Sequence, residues 1–237
     1  MTLLDFDRVT LSNVSHAYGR RYALKQVDLT CKSGEILGVF GPNGAGKSTF
    51  LTLLSTLLKP SAGEIRYGKA APGVPGAALR ARIGLLGHDL HLYPELSARE
   101  NLEFFARLYG VNDLYQAVNS ALNRSGVVDR DREPISRFSR GMRQRVAIER
   151  ALMHRPRLIL LDEPFTGLDD VAMKSLSARL RELRLDGAII VMATHNLDFS
   201  AEFIDRAAIL KSGKLVTVET SANKLRSSYE AHIYGGV

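Results

Sequence analysis

The sequence predicts an α/β fold: a parallel sheet flanked by helices, with an N-terminal antiparallel β lobe and an inserted helical lobe. Three observations carry this. A short apolar run at 35–40, bounded by Gly34 and Gly41, passes through a glycine-rich segment at 41–48 into a helical pattern at 49–58. Two more apolar runs, 157–161 and 188–193, have the continuous character of strands buried on both faces, and a helical stretch at 171–185 separates them. Between these blocks, residues from about 89 to 154 repeat their apolar positions every 3.6 residues.

The elements follow in order. Residues 9–14 and 22–30 alternate apolar and polar positions around the Tyr18-Gly19 break, the pattern of a small antiparallel lobe. The helix at 49–58 is expected to end at Lys59-Pro60, since proline has no amide to donate and crowds the preceding turn. In the inserted block, 98–109, 113–123 and 141–153 each keep an apolar face. Residues 207–210 and 214–219 flank a Ser212-Gly213 turn as a late hairpin, and the tail to Val237 reads as a short helix with a frayed end. The organisation expected is one domain over 1–237, with the β lobe and core at about 1–87 and 155–237 and the helical lobe at about 88–154.

With 237 residues, 45% hydrophobic and 24% charged, the chain is long and apolar enough to bury its own core. No run approaches the roughly 18–20 apolar residues of a membrane span, and residues 1–10 hold no apolar signal core. A cytosolic location is therefore expected. Cys31 is the single cysteine, which excludes an internal disulfide framework and reads as a packed strand residue. A net charge of +7 favours polyanions or anionic lipid, yet the arginines are scattered without a block, so charge alone names no partner and no nucleic-acid partner is expected.

Gly41-Pro42-Asn43-Gly44-Ala45-Gly46-Lys47-Ser48 fits G-x-x-x-x-G-K-[ST] between a predicted strand and a predicted helix, the context that identifies a phosphate-binding P-loop. Glycines allow the tight turn that aims backbone N–H groups inward, and the positive end of the next helix faces the phosphates. Lys47 supplies a point charge to the β- and γ-phosphates. Ser48 offers a hydroxyl to Mg²⁺, which keeps most of its oxygen shell from water and phosphate. A nucleoside triphosphate is the expected ligand of Gly41 to Ser48 and of Thr49 behind them, and the fold class sharpens to a P-loop NTPase core.

The apolar strand 158–161 ends in Asp162-Glu163-Pro164, and buried apolar strands do not carry carboxylates without a partner or a task. If this strand lies beside the P-loop strand, Asp162 can hold the Mg²⁺ shell while Glu163 polarises the attacking water. The run 188–193 delivers Thr194-His195, and His195 is placed to sense the γ-phosphate and align the water with Glu163. The catalytic set these residues suggest is Glu163, His195 and Lys47; Ser48 and Asp162 are the metal ligands.

These residues resemble the ABC ATPase family over nearly the whole chain. Phe138-Ser139-Arg140-Gly141-Met142-Arg143-Gln144-Arg145 is similar to the LSGGQ-x-Q-R signature and sits shortly before the acidic strand, as in the family. Thr166-Gly167-Leu168-Asp169 looks like the D-loop, and Tyr18 falls where the family stacks a ring on adenine, although core packing explains Tyr18 equally well at this point. The resemblance implies a head-to-tail pair, either a homodimer or a pairing with a related ATPase, closed around two ATP. Each ATP would lie between one P-loop and the other subunit's Ser139, Arg140, Gly141 and Met142, with Asp169 nearby. Arg140 replaces the first glycine and Met142 the glutamine of the motif, while Ser139 and Gly141, the γ-phosphate contacts, are kept, so activity is expected. His88 stands where the Q-loop glutamine belongs, so the resemblance adds His88 to the catalytic set; imidazole is a poor partner for a hard cation, and direct Mg²⁺ contact by His88 is not expected.

The wording of residues 83–88, 96–102 and 139–142 resembles the haem-exporter ATPases of cytochrome c maturation. The resemblance implies a separate integral membrane partner and a place on the inner face of the cell membrane. Residues 90–96, apolar and broken by Pro94, read as a docking surface for that partner or as a covered loop of the helical lobe. The alternatives are a drug or lipid exporter ATPase, or a soluble ABC ATPase of iron–sulfur cluster assembly.

Overall fold

Alternating burial along residues 8–32 makes an N-terminal hairpin. Strands β1 (Arg8–Tyr18) and β2 (Arg21–Lys32) pair antiparallel, both longer than their alternation suggested, with Gly19 at φ 59° in the turn. Cys31 is packed in β2, and burial pushes its thiol up to about 12, so it is inert. Strand β3 (Glu35–Phe40) has every residue buried and leads through the glycine-rich loop into α1 (Lys47–Leu54). The helix stops at Leu54 rather than at 58, because Ser55 Oγ donates to Thr52 O (2.8 Å) and Thr56 turns left-handed at φ 67°.

Strand β4 (Ala62–Tyr67) joins the hairpin in the order β2-β1-β4; only Tyr67 in it is buried, which is why no period-two signal announced it. A single turn, α2 (Ala77–Arg80), precedes β5 (Ile83–Leu86), whose run is broken by Gly84. Glycine is required there, since a Cβ would collide with Ala151 O. Then come α3 (Ala98–Leu108), α4 (Leu114–Ser125) and α5 (Arg140–Leu152), with N-caps Ser97, Asp113 and Ser139. Strands β6 (Leu158–Asp162) and β7 (Ile189–Ala193) flank α6 (Asp170–Leu185). A short α7 (Leu197–Ala201), the hairpin β8 (Arg206–Lys211) and β9 (Lys214–Glu219), and α8 (Ala222–Ile233) follow. The structure describes residues 5–69, 76–220 and 222–235. The signal-core reading of residues 1–4 and the frayed end at 236–237 lie outside the described residues.

The large sheet runs β5-β6-β7-β3-β8-β9, parallel throughout except for β9, which pairs antiparallel with β8. Its strands alternate between two cores. Leu37, Val39, Leu158, Leu160, Ile189 and Val191 pack with α1 and the β lobe, whereas Ile36, Ile159, Leu161, Ile190 and Met192 pack with α5 and α6. The acidic strand does not lie beside the P-loop strand: β7 lies between β6 and β3 and pairs with both. Strand adjacency is a long-range property that a local apolar pattern does not encode.

Helix α5 belongs to two cores at once. Ala147, Ile148, Ala151 and Leu152 join the sheet-side core, and Val146 joins Leu102, Phe105, Leu122 and Phe138 in the core of the helical lobe. Buried Glu149 ties it to α4 through Arg124 (2.8 Å) and to α6 through Arg179 (3.7 Å). Arg150 donates to Leu85 O (2.7 Å), and just past the helix His154 stacks on Tyr109 with ring centroids 3.9 Å apart.

His154 Nε2 lies 3.2 Å from Ile83 O, which can only accept, so Nε2 carries the proton; Nδ1 is buried without a partner. Burial, reinforced by Arg150 and Arg82 and opposed by the Ile83 contact, lowers its pKa to about 4. The unfolded chain takes up a proton near the usual value of about 6.5 that the folded chain refuses, so about 3 kcal/mol of stability, present above that value, is lost as pH falls towards 4. His154→Phe, which keeps the stack on Tyr109, should therefore lose less melting temperature than the parent between about pH 7 and pH 5. Parallel melting curves for the two proteins would show the assignment to be wrong.

Candidate nucleotide site

The loop between β3 and α1 is shaped by its glycines. Gly41, Gly44 and Gly46 hold φ of 150°, 78° and 108°, and a Cβ on Gly46 would meet Ala23 O and Leu24 of β2. Ala45 N donates to Pro42 O (3.1 Å), closing the turn, while Pro42, Asn43, Gly44 and Ser48 are exposed. Among the described residues no carbonyl accepts from the amides of Gly44, Gly46, Lys47, Ser48 or Thr49. They form a ring of free donors at the positive end of α1. Lys47 Nζ is held across the loop by Gly41 O (2.7 Å) and Pro42 O (3.3 Å).

Asp162 ends β6 half-buried. Burial raises its carboxyl above the usual range; the Ser48 hydroxyl bonded to it and the charges of Lys47 and His88 oppose that, and Glu163 adds to it. The loop and the acidic pair thus meet although they come from β3 and β6, and His88, in the turn after β5, is near enough for its charge to be felt at Asp162. His195 Nδ1 lies 2.8 Å from Glu163 Oε1, with most of the His195 ring exposed. Glu163 itself has φ 48°, a left-handed backbone that costs of order 1–3 kcal/mol for a residue with a side chain. Its amide donating to Ala193 O (2.9 Å) and its carbonyl accepting from Thr166 N (3.2 Å) hold it there. Ser48 and Asp162 together offer hard oxygen donors, which suits Mg²⁺ with a shell completed by phosphate and water. Such a site can bind a triphosphate and present a carboxylate to a water near it.

Tyr18 is 56% exposed at the end of the hairpin whose β2 side abuts Gly46, so core packing does not explain it. Ser139 caps α5 by accepting from Met142 N (3.3 Å), and Asp169 caps α6 by accepting from Ala172 N (2.8 Å). Among the described residues no hydrogen bond joins residues 139–142 to the loop 41–49. The structure therefore brings Lys47, Ser48, Asp162, Glu163 and His195 together, places His88 within electrostatic reach of Asp162, and joins Ser139, Arg140, Gly141 and Met142 to the phosphate loop by no hydrogen bond among the described residues. The family model described as ABC transporter matches residues 24–166.

The chain belongs to the ABC transporter family. It is 32% identical over 213 residues to the linearmycin resistance ATP-binding protein LnrL of Bacillus subtilis (strain 168), covering 89% of this chain and 68% of that protein. To the daunorubicin resistance ATP-binding protein DrrA3 of Streptomyces coeruleorubidus it is 34% identical over 221 residues, 92% of this chain and 70% of that one. The dimeric structure of MJ0796, a bacterial ABC transporter cassette, superposes with a TM-score of 0.82 at 30% identity, over 90% of this chain and 98% of that chain. The same cassette in a post-hydrolysis state bound to ADP and Pi gives 0.79 at 31% over the same shares. This chain is an ATP-binding, ATP-hydrolysing subunit of an ABC transporter.

Two contacts of the ABC signature escaped the sequence. Gln144 Nε2 donates to Pro164 O (3.2 Å), and a Cβ on Gly141 would sit 2.5 Å from Gly167 O. Both bind α5 to the turn after Glu163, and only their glycine and amide chemistry hinted at it. Gly46→Ala should lower the melting temperature and remove nucleotide binding, measurable by calorimetry with ATP; normal binding by that variant would show that the loop does not need its left-handed turn.

Proposed function

We propose that the chain works as a head-to-tail pair closed around two ATP and powers a separate membrane-spanning exporter. The observation that supports this is a divided site: a phosphate loop with its acids and histidine, and a capped helix start at Ser139 that makes no hydrogen bond to that loop among the described residues. Neither half is complete alone, and a second copy turned head to tail would supply what each lacks. The dimeric structure of the MJ0796 cassette supports the same reading.

Within each half, the amides of Gly44 and of residues 46–49 and the Lys47 side chain bind the phosphates, while Ser48 and Asp162 would hold Mg²⁺, which when bound neutralises phosphate charge. Glu163 takes up the proton of the attacking water, and His195, bonded to Glu163 through Nδ1, keeps the carboxylate oriented with Nε2 free for phosphate or water. Ser139 and the amides at the start of α5 meet the γ-phosphate of the partner's ATP. His88, whose charge is felt at Asp162, is proposed to act on water there without ligating the metal.

The membrane partner is supported by an exposed apolar patch on the helical lobe. Tyr93, in the segment 90–96 expected to dock, is exposed together with Phe104 and Leu108 of α3, and the Tyr93 and Phe104 rings pack edge-to-face with centroids 5.2 Å apart. No helix among the described residues is long and apolar enough to cross a membrane. We place the chain on the inner face of the membrane. The haem subtype rests on the wording around His88 and residues 139–142, whereas the linearmycin and daunorubicin resistance relatives support the drug or lipid alternative.

Glu163→Gln should abolish most turnover and trap an ATP-bound dimer on size exclusion; unchanged hydrolysis would remove Glu163 from its role. Ser139→Ala mixed with Lys47→Ala should show the activity pattern of composite sites, and strictly proportional loss would defeat the head-to-tail model. In the complex with the co-purifying membrane protein, stimulation of ATPase activity by haem and not by daunorubicin supports the haem subtype, and the reverse supports the drug type.

A further inference from the structure

His16 is the one histidine of the β lobe and the catalytic scheme does not use it. It is buried, at 9% exposure, while its neighbour two residues along, Tyr18, is 56% exposed. The two rings meet nearly perpendicular, at 78°, with centroids 4.8 Å apart, an edge-to-face pair. His16 Nδ1 lies 3.0 Å from Lys59 O, and because a carbonyl only accepts, Nδ1 donates and the plane of the ring is set.

The anchor is built from both sides. Ser61 N donates to Ser15 O (2.8 Å) and Ala17 N donates to Ser61 Oγ (3.2 Å), so three consecutive residues, Ser15, His16 and Ala17, are fastened to 59–61. That segment follows the P-loop helix α1. Across the hairpin His16 pairs with Leu24, the residue a Cβ on Gly46 would strike. The ring of Tyr18 is thereby referenced to the phosphate loop through His16.

We propose that His16 is a positioning residue for nucleotide: it braces Tyr18 at a fixed distance and tilt from the P-loop so that the free face of that ring receives the base. The proposal rests on the reading of Tyr18 as the base platform. An exposed tyrosine with free χ angles pays rotamer entropy on stacking, and a braced one does not. His16 acts on binding and leaves the chemistry at Glu163 untouched.

The test is a double-mutant cycle on the full chain, reading Kd for ribose-labelled fluorescent ATP together with KM and kcat. Tyr18→Ala should weaken binding about tenfold or more. His16→Leu should weaken it about three- to tenfold, raising KM and sparing kcat, and Tyr18→Ala combined with His16→Leu should bind no more weakly than Tyr18→Ala alone. His16→Phe, which keeps an aromatic ring against Tyr18, should stay within about twofold, and His16→Asn should not; this pair decides the matter if His16→Leu fails to fold. Multiplicative losses in the double variant, or parent-like affinity in His16→Leu, overturn the brace. Parent-like affinity in Tyr18→Ala overturns the base platform itself, a distinguishable failure.

Discussion

Strands β3, β6 and β7 have no solvent on either face, and that constraint arranges the rest of the molecule. Ile36 to Phe40, Leu158 to Leu161 and Ile189 to Ala193 are buried throughout. A parallel sheet buried in this way has only its strand ends for polar chemistry, and parallel pairing puts those ends on the same side. The P-loop, Asp162-Glu163 and Thr194-His195 all follow a strand end. The site is therefore a consequence of packing, and the Ser48–Asp162 and Glu163–His195 contacts are made by residues far apart in the chain but level in the sheet.

What the sequence discloses follows from how local each feature is. The P-loop was legible because its glycines, its lysine and its flanking strand and helix are contiguous. Asp162 and Glu163 stood out because carboxylates at the end of an apolar run need a reason. The insertion of β7 between β3 and β6 could not be read, since pairing is fixed by topology rather than by composition. Strand β4 was silent because an edge strand with one buried residue carries no alternation, and β5 was silent because Gly84 breaks its short run to let Ala151 approach. The end of α1 was misread because Lys59-Pro60 is the louder signal, while Ser55 and Thr56 stop the helix earlier by quieter means. For Tyr18, burial alone separated a packed ring from a presented one.

Helix α5 links the two surfaces of the split site. Its start carries Ser139, its middle bears Glu149 between two arginines on different helices, and its end is fastened to β5 by Arg150 and His154. Gly141 and Gln144 press it onto the turn after Glu163. A shift of the turn that holds Glu163 must move the start of α5, because no gap separates them. Breaking one partner of the Glu149 pairings would leave a buried charge uncompensated, which costs more than the pairs themselves contribute.

The left-handed backbone at Glu163 carries a consequence for how this chain responds to selection. A glycine at that position would relax the turn and lose the carboxylate in one step, so the substitution that eases the local conformation also removes the group proposed to activate water. Laboratory evolution guided by heat resistance alone would be drawn towards cassettes without that carboxylate. Only a screen that also demands turnover would keep the strained residue in place.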